Sequence, residues 1–210
     1  MYVPPAFRED DPAELAAMIA AARLATLVTA TPDGMIATPL PLLFDPGEGA
    51  HGTLYGHVAR ANPQWRHPAD GDALALFAGP DAYVSPSWYA AKAEHGKVVP
   101  TWNYIAVHAY GPVEFFDEPD RLLAVVSRLS DLHEAGRERP WSVTDAPEAY
   151  VAAQLRGIVG LRLAITRIEG KRKLSQNRSA SYRVGVATGL AGAAREEERA
   201  LGAMIPIDTR

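Results

Sequence analysis

Apolar positions come in short, β-branched runs through the first half of the chain and at helical spacing through much of the second. Asp11-Pro12-Ala13-Glu14 supplies a cap, a proline for the first helical position and a first-turn carboxylate. Leu15, Met18, Ile19 and Ala22 then share one face, which predicts a helix ending near Arg23. Two runs, Leu24–Ala30 and Met35–Phe44, flank the turn Thr31-Pro32-Asp33-Gly34 and predict a hairpin. Pro39 and Pro41 cannot donate to a ladder, so the second strand is expected to be free on one side or bulged. Gly52–Val58 reads as a third strand, and Asn62-Pro63-Gln64-Trp65 opens a short helix. Further strands are predicted at Ala73–Ala78, Ala82–Ser85 and Thr101–Phe116, the last broken at Gly111-Pro112. Leu122, Leu123, Val126, Leu129 and Leu132 predict an amphipathic helix, and Pro147–Arg156 a second one. Ile158–Ile168 reads as a last strand, and Ser175–Met204 as helical with an interruption at Gly189–Gly192. This order suits a mainly β, α+β fold, an antiparallel barrel with packed helices, better than a doubly wound parallel sheet.

Composition narrows the chemistry. The 210 residues contain no cysteine, which excludes a thiol nucleophile, a disulfide framework and thiolate metal sites. With 21 basic and 25 acidic residues the formal charge is −4, so a nucleic-acid partner needs a local basic patch. No apolar stretch approaches the ~20 residues of a membrane span, and the start lacks an export signal. The expected location is the cytoplasm.

Common site motifs are missing. There is no Gly-x-Ser-x-Gly elbow, no Gly-x-x-x-x-Gly-Lys-Ser/Thr loop and no Gly-x-Gly-x-x-Gly. The six histidines fall in no metal-binding spacing and read as scattered hydrogen-bonding groups, so no metal is expected. Three segments stand out. His57-Val-Ala-Arg60-Ala-Asn62-Pro-Gln-Trp65 runs off a strand into a capped helix start and carries a cation; it reads either as an anion site or as an ordinary capped turn. The aromatic stretches Ala82–Tyr89 and Val99–Tyr104 could wall a planar ring, build a core or form a dimer seam. From Arg162 to Arg183 there are seven basic residues against Glu169 alone, a field that meets an anion or is merely solvated.

Taken together, these blocks resemble the PaiB family of FMN-binding negative transcriptional regulators. The resemblance is carried by Met1-Tyr-Val-Pro-Pro-Ala-Phe7, His57–Trp65, Ser85-Pro-Ser-Trp88-Tyr89, Val99-Pro-Thr-Trp102-Asn-Tyr104 and Lys171-Arg-Lys173-Leu-Ser-Gln176-Asn177, in that order. It implies an FMN-binding split β-barrel of the pyridoxamine-phosphate-oxidase-like kind over residues 1–190, N-terminal helix included, followed by a helical tail over 191–210. It implies a homodimer with FMN in clefts between the subunits. On that analogy Thr38 and Pro39 lie near the flavin ring, and His57, Arg60 and Asn62 at the phosphate or ribityl chain. Ser85, Trp102, Lys173 and Gln176 are implied to reach the cleft as well, from the other subunit.

Two functions follow from the resemblance. The first is negative transcriptional regulation, with DNA met through Arg162–Arg183. The three glutamates of Arg195-Glu-Glu-Glu-Arg199 oppose phosphate approach by the tail. The second is a flavin-dependent oxidoreductase acting on a small molecule, a fold-level analogy. A third reading is a barrel that has lost its cofactor.

Overall fold

The computed structural model describes residues 1–67 and 69–207. The strands are β1 (Arg8–Glu9), β2 (Ala25–Thr31), β3 (Gly34–Leu40), β4 (Leu43–Asp45), β5 (Thr53–Ala59), β6 (Ala73–Val84), β7 (Thr101–Gly111), β8 (Val113–Phe116), β9 (Ile158–Ala164) and β10 (Arg167–Lys173). The helices are α1 (Pro12–Ala21), α2 (Ala90–His95), α3 (Pro119–Glu134), α4 (Glu148–Leu155), α5 (Ala180–Ala191) and α6 (Glu196–Ala203). The chain folds into two compact units: Met1–Ala21, Ala78–Val107 and the chain from Glu169 form one; Ala22–Phe77 and His108–Ile168 form the other. Among the described residues β1·β10, β2·β3, β2·β6, β4·β5, β5·β9 and β8·β9 pair antiparallel.

In the second of these units the predicted hairpin forms as β2 and β3, in register from Ala25 opposite Leu40 to Thr31 opposite Gly34. Burial alternates along β2, with Ala25, Leu27, Thr29 and Thr31 inward, as period two requires. β3 ends its sheet, so Pro39 faces β2 through its pairing with Thr26 and leaves the other side unpaired. The expected strand Met35–Phe44 is cut after Leu40, because Pro41 and Leu42 carry the chain into a second sheet. That sheet has the order β4-β5-β9-β8. Leu54, Val58, Val159, Leu161 and Leu163 are buried along its strands. Leu43, Phe116, Leu122, Val125, Leu129 and Leu155 form a cluster uniting α3 and α4 with the sheet. β7 and β8 separate at Gly111-Pro112 as expected. A Cβ on Gly111 would stand 1.9 Å from the Ala164 carbonyl, so only glycine admits that crossing.

In the other unit β1 pairs with β10, Arg8 opposite Lys171 and Glu9 opposite Gly170. Asp11 caps α1 through its Oδ1, which accepts from Ala13 N at 2.8 Å and Glu14 N at 3.1 Å. The core joins Val84, Tyr89, Ile105, Leu174, Val186, Leu190, Leu201 and Ile205, so α6 packs on α5. Trp88 lies in the notch left by Gly185 and Gly189 of α5, where a Cβ on Gly189 would meet its indole at 2.3 Å.

Two further expectations are corrected. Ala73–Ala78 and Ala82–Ser85 are one strand of 12 residues, since Gly79 and Pro80 continue the extended chain. Ile158–Ile168 is two strands, β9 and β10, parted at Ile165-Thr166. The basic run Gly170–Lys173 is therefore sheet, and its cations alternate between faces. The short strand β1 and helix α2 carry no periodicity long enough to announce themselves.

Candidate functional site

The His57–Trp65 block forms a tied corner within one unit. Asn62 caps the 3-10 turn Pro63–Arg66 by accepting from Gln64 N at 2.9 Å, and its Nδ2 donates to Thr38 Oγ1 at 2.9 Å. Thr38 and Asn62, separated by 24 residues, are thus brought together. Pro39 sits next to Thr38 on the edge strand. Gln64, fully buried, donates through Nε2 to Thr29 Oγ1 at 3.0 Å and to the Leu27 and Ile36 carbonyls, pinning both strands of the hairpin. Trp65 Nε1 donates to the Arg60 carbonyl at 2.9 Å.

Arg60 is committed to the protein more than its charge suggests. Its Nε donates to Arg156 O at 2.8 Å, its Nη2 to Ile158 O at 3.1 Å and its Nη1 to Asp117 Oδ2 at 3.3 Å. Two of its five N–H groups remain for an anion. His57 lines a shallow pocket of about 280 Å³ with Pro41, Leu129, His133 and Trp141. Its Nδ1 is buried without a hydrogen-bond partner. Burial holds its pKa below the ordinary imidazole value, so the ring is neutral at physiological pH.

The remaining candidates lie in the other unit. Lys173 donates through Nζ to Thr101 Oγ1 at 2.7 Å and to the Trp102 carbonyl. Its pKa is pushed down, first by burial and then by the neighbouring Lys171 and Arg178. Trp102 is half exposed and stands edge-on to Tyr83, with centroids 6.1 Å apart. Gln176 braces the turn after β10: its Oε1 accepts from Leu174 N at 2.7 Å and its Nε2 donates to the Arg172 carbonyl. Ser85 caps the turn Pro86–Trp88 by accepting from Ser87 N at 3.2 Å, a structural duty. The aromatic stretches divide by role. Tyr89 stacks on Tyr182 at 3.9 Å and is core, as Trp88 is, whereas Tyr83 and Trp102 present exposed edges.

Several residues here escaped the sequence reading. Lys171 is buried at 6% exposure and donates through Nζ to the Tyr2 carbonyl and to the Tyr104 hydroxyl. Among the described residues no carboxylate pairs with Lys171, Lys173 or Arg178, whereas Arg172, between the two lysines, pairs with Glu9 and Glu14. Ser175 sits at φ 62°, a left-handed conformation costly for a residue with a Cβ, and its Oγ donates to Asn103 Oδ1 at 3.2 Å. Asn103 Nδ2 is buried and unpartnered. Alternation along β10 was the available signal for Lys171, had the strand been recognised.

Comparison with known proteins defines the class. The fold matches the flavocytochrome Anf3 from Azotobacter vinelandii with a TM-score of 0.56 at 15% identity, covering 79% of this chain and 69% of that one. It matches a FAD and heme binding protein from Mycobacterium smegmatis with a TM-score of 0.54 at 16% identity, covering 79% and 73%. The chain is an α+β protein of the flavin-binding split-barrel kind. Residues 1–167 match the family model described as "Putative FMN-binding domain", and the chain belongs to that family. It is 36% identical over 180 residues, 85% of this chain and 84% of the other, to the Bacillus subtilis (strain 168) "Protease synthase and sporulation protein PAI 2". An uncharacterized protein of Aspergillus fumigatus is 38% identical over 171 residues, 66% of each chain. The resemblance to the PaiB family is thereby borne out. No helix among the described residues is long and apolar enough to cross a membrane.

Proposed function

We propose that this chain binds FMN as a homodimer, one flavin in each cleft between subunits, and works as a flavin-dependent redox protein on a small molecule. The observation that carries the reading, beside family membership, is the unneutralised cation pair Lys171 and Lys173, set over the Tyr104 ring at 4.8 and 6.0 Å, with Lys173 also bonded to the Trp102 carbonyl. A flavin needs an apolar wall, positive charge near its electron-rich carbonyl edge and donors for its phosphate. The donor set fits. The candidate donors are Lys173, Gln176 and Trp102 in one unit, and Thr38, Asn62, His57 and the two spare N–H groups of Arg60 in the other. Pro39 supplies apolar backbone without a competing donor. Ser85 would act by shaping the turn that carries Trp88.

Bound FMN would supply one- or two-electron transfer; the protein's own residues bind, orient and exclude water. The neutral imidazole of His57 can exchange a proton at Nδ1, the atom left without a partner. An approaching anion would offset the burial and the neighbouring cations that lower the proton affinity of Lys173.

Negative transcriptional regulation is the second reading, the one that the resemblance to the PaiB family implies. Direct DNA contact through Arg162–Arg183 draws little support from the side chains. Arg162 is bound to Glu48, Arg172 to Glu9 and Glu14, and Lys171 is buried. Regulation through a redox-active or ligand-binding partner role fits these facts better.

The purified protein is expected to be yellow and to release FMN, not FAD, on denaturation. Lys173→Met is expected to weaken FMN binding about tenfold, the ~1.4 kcal/mol scale of a charge-assisted hydrogen bond. A colourless protein that fails to quench the fluorescence of added FMN refutes the cofactor assignment. Reduction of the bound flavin by NADH or NADPH, set against gel-shift titration at varied salt, separates the two readings.

A further inference from the structure

In the unit formed by Ala22–Phe77 and His108–Ile168, the starts of α3 and α4 and the 3-10 turn Val143–Asp145 leave a groove of about 480 Å³ between them. None of the candidate cofactor residues lines it. Its α4 side is a single helical face, because Glu148, Val151, Ala152 and Leu155 stand at i, i+3, i+4 and i+7. Leu123 of α3, with Val143 and Ala146, completes an apolar bed. Val151 and Leu155 join that bed to the core cluster of α3 and its sheet, so the floor is fixed by the fold. Leu123 is 39% exposed, and its surface is left uncovered.

Charge in the groove has one sign. Among the described residues that line it only Asp120 and Glu148 are charged, and neither has an ion-pair partner among the described residues. Each stands in the first turn of its helix, where the helix dipole favours the ionised carboxylate. The surroundings do not cancel them. Segments 114–121 and 145–156 hold six carboxylates against two arginines. Arg121 is engaged by Glu114 at 2.8 Å and by Glu118 at 3.5 Å. Arg156, outside the lining, donates to the Ala152 carbonyl at 3.2 Å. Counting Arg60, which pairs with Asp117, still leaves twice as many carboxylates as guanidinium groups.

We propose that this groove binds a small organic amine, an ammonium on an apolar body, at a site separate from the flavin. The groove has the size of a small-ligand site and the common composition of one, an apolar bed with a few polar groups. An ammonium carries three donors and a charge opposite to the lining; the carboxylates of Asp120 and Glu148 and the hydroxyl of Thr144 are the acceptors. The apolar body then covers Leu123, Val151 and Leu155. A second copy of the chain is a poorer occupant, because a two-fold contact of groove on groove would set Asp120 and Glu148 against their own equivalents. Nucleic acid and other polyanions are repelled by the same field.

The test is calorimetric titration of the full chain with 4-phenylbutylamine and with 4-phenylbutyrate, which keeps the apolar body and reverses the charge. Saturable binding of the amine with a Kd below about 1 mM, weakening with salt and at least tenfold tighter than that of the carboxylate, is expected. The double variant Asp120→Asn, Glu148→Gln keeps the shape of the groove and removes both charges; it should weaken the amine about tenfold and remove the salt dependence. Ala152 is exposed, so Ala152→Trp is tolerated by the fold and fills the groove; it should abolish binding at an unchanged unfolding temperature. No saturable binding of the amine up to about 10 mM, equal affinity for amine and carboxylate, or unchanged affinity in the double variant overturns the proposal. Self-association of the chain that Ala152→Trp abolishes, without amine binding, would assign the groove to a second copy and overturn it too. The flavin content of each variant should equal that of wild type; its loss together with amine binding would mean that the groove is not a separate site.

Discussion

Replacing Arg60 by alanine tests whether the His57–Trp65 block is first a structural corner. Its guanidinium closes two bonds to main-chain carbonyls, Arg156 O at 2.8 Å and Ile158 O at 3.1 Å, 96 and 98 residues along the chain. It thereby ties the exit of β5 to the entry of β9, beside Arg60 N, which donates to Gly157 O at 2.8 Å. A charged donor on a carbonyl is worth ~1.5–3 kcal/mol when desolvated, and less here because the side chain is about one-third exposed. Roughly 1 kcal/mol for each carbonyl bond is a fair figure, and the exposed pair with Asp117 adds about 0–0.5. The total is about 2 kcal/mol. Urea unfolding of the cofactor-free protein at neutral pH, followed by circular dichroism, should show that loss in Arg60→Ala at unchanged m-value. Arg60→Lys should recover less than half, since one ammonium cannot reach both carbonyls and keep the planar fork. A stability within about 0.5 kcal/mol of wild type would show that these bonds contribute nothing, and would return Arg60 to a purely ligand-binding role.

Two further outcomes are expected. Gly189→Ala should destabilise the protein by about 1–3 kcal/mol, although alanine normally stabilises a helix interior, because the new Cβ enters the Trp88 indole; thermal unfolding reads the sign. The acid limb of the stability curve should flatten in Glu48→Gln: the folded-state pKa of Glu48 is lowered by its bonds from Tyr55 and Arg162, so its contribution is present above the ordinary value near 4.5 and is lost as pH falls through the lower folded-state value. Equal slopes below pH 4.5 in wild type and variant would contradict that linkage.

The fold was largely legible because its signals are local. The cap at Asp11, the alternation of β2, the Pro-Asp-Gly turn and the leucine spacing of α3 each act within a few residues. Boundaries failed where the deciding contact was distant. Nothing near Pro41 says that the chain must leave one sheet for another, and nothing near Thr166 says that a new strand begins. The candidate site was legible as residue types in blocks, but not as roles. Asn62 and Thr38 are bonded to each other, whereas Ser85, and Arg60 in large part, are occupied with holding the backbone.

Sequence by itself determined the class of element at most positions, the absence of thiol chemistry and, through ordered blocks, membership of an FMN-binding family. Tertiary structure decided which charges are available. A run of seven cations looks uniform in one dimension, but strand alternation and long-range carboxylates sort it: Arg162 and Arg172 are neutralised by partners more than 100 residues away, and Lys171 and Lys173 are left without one. Charge is a property of composition, whereas free charge is a property of distance, and only the fold sets distances.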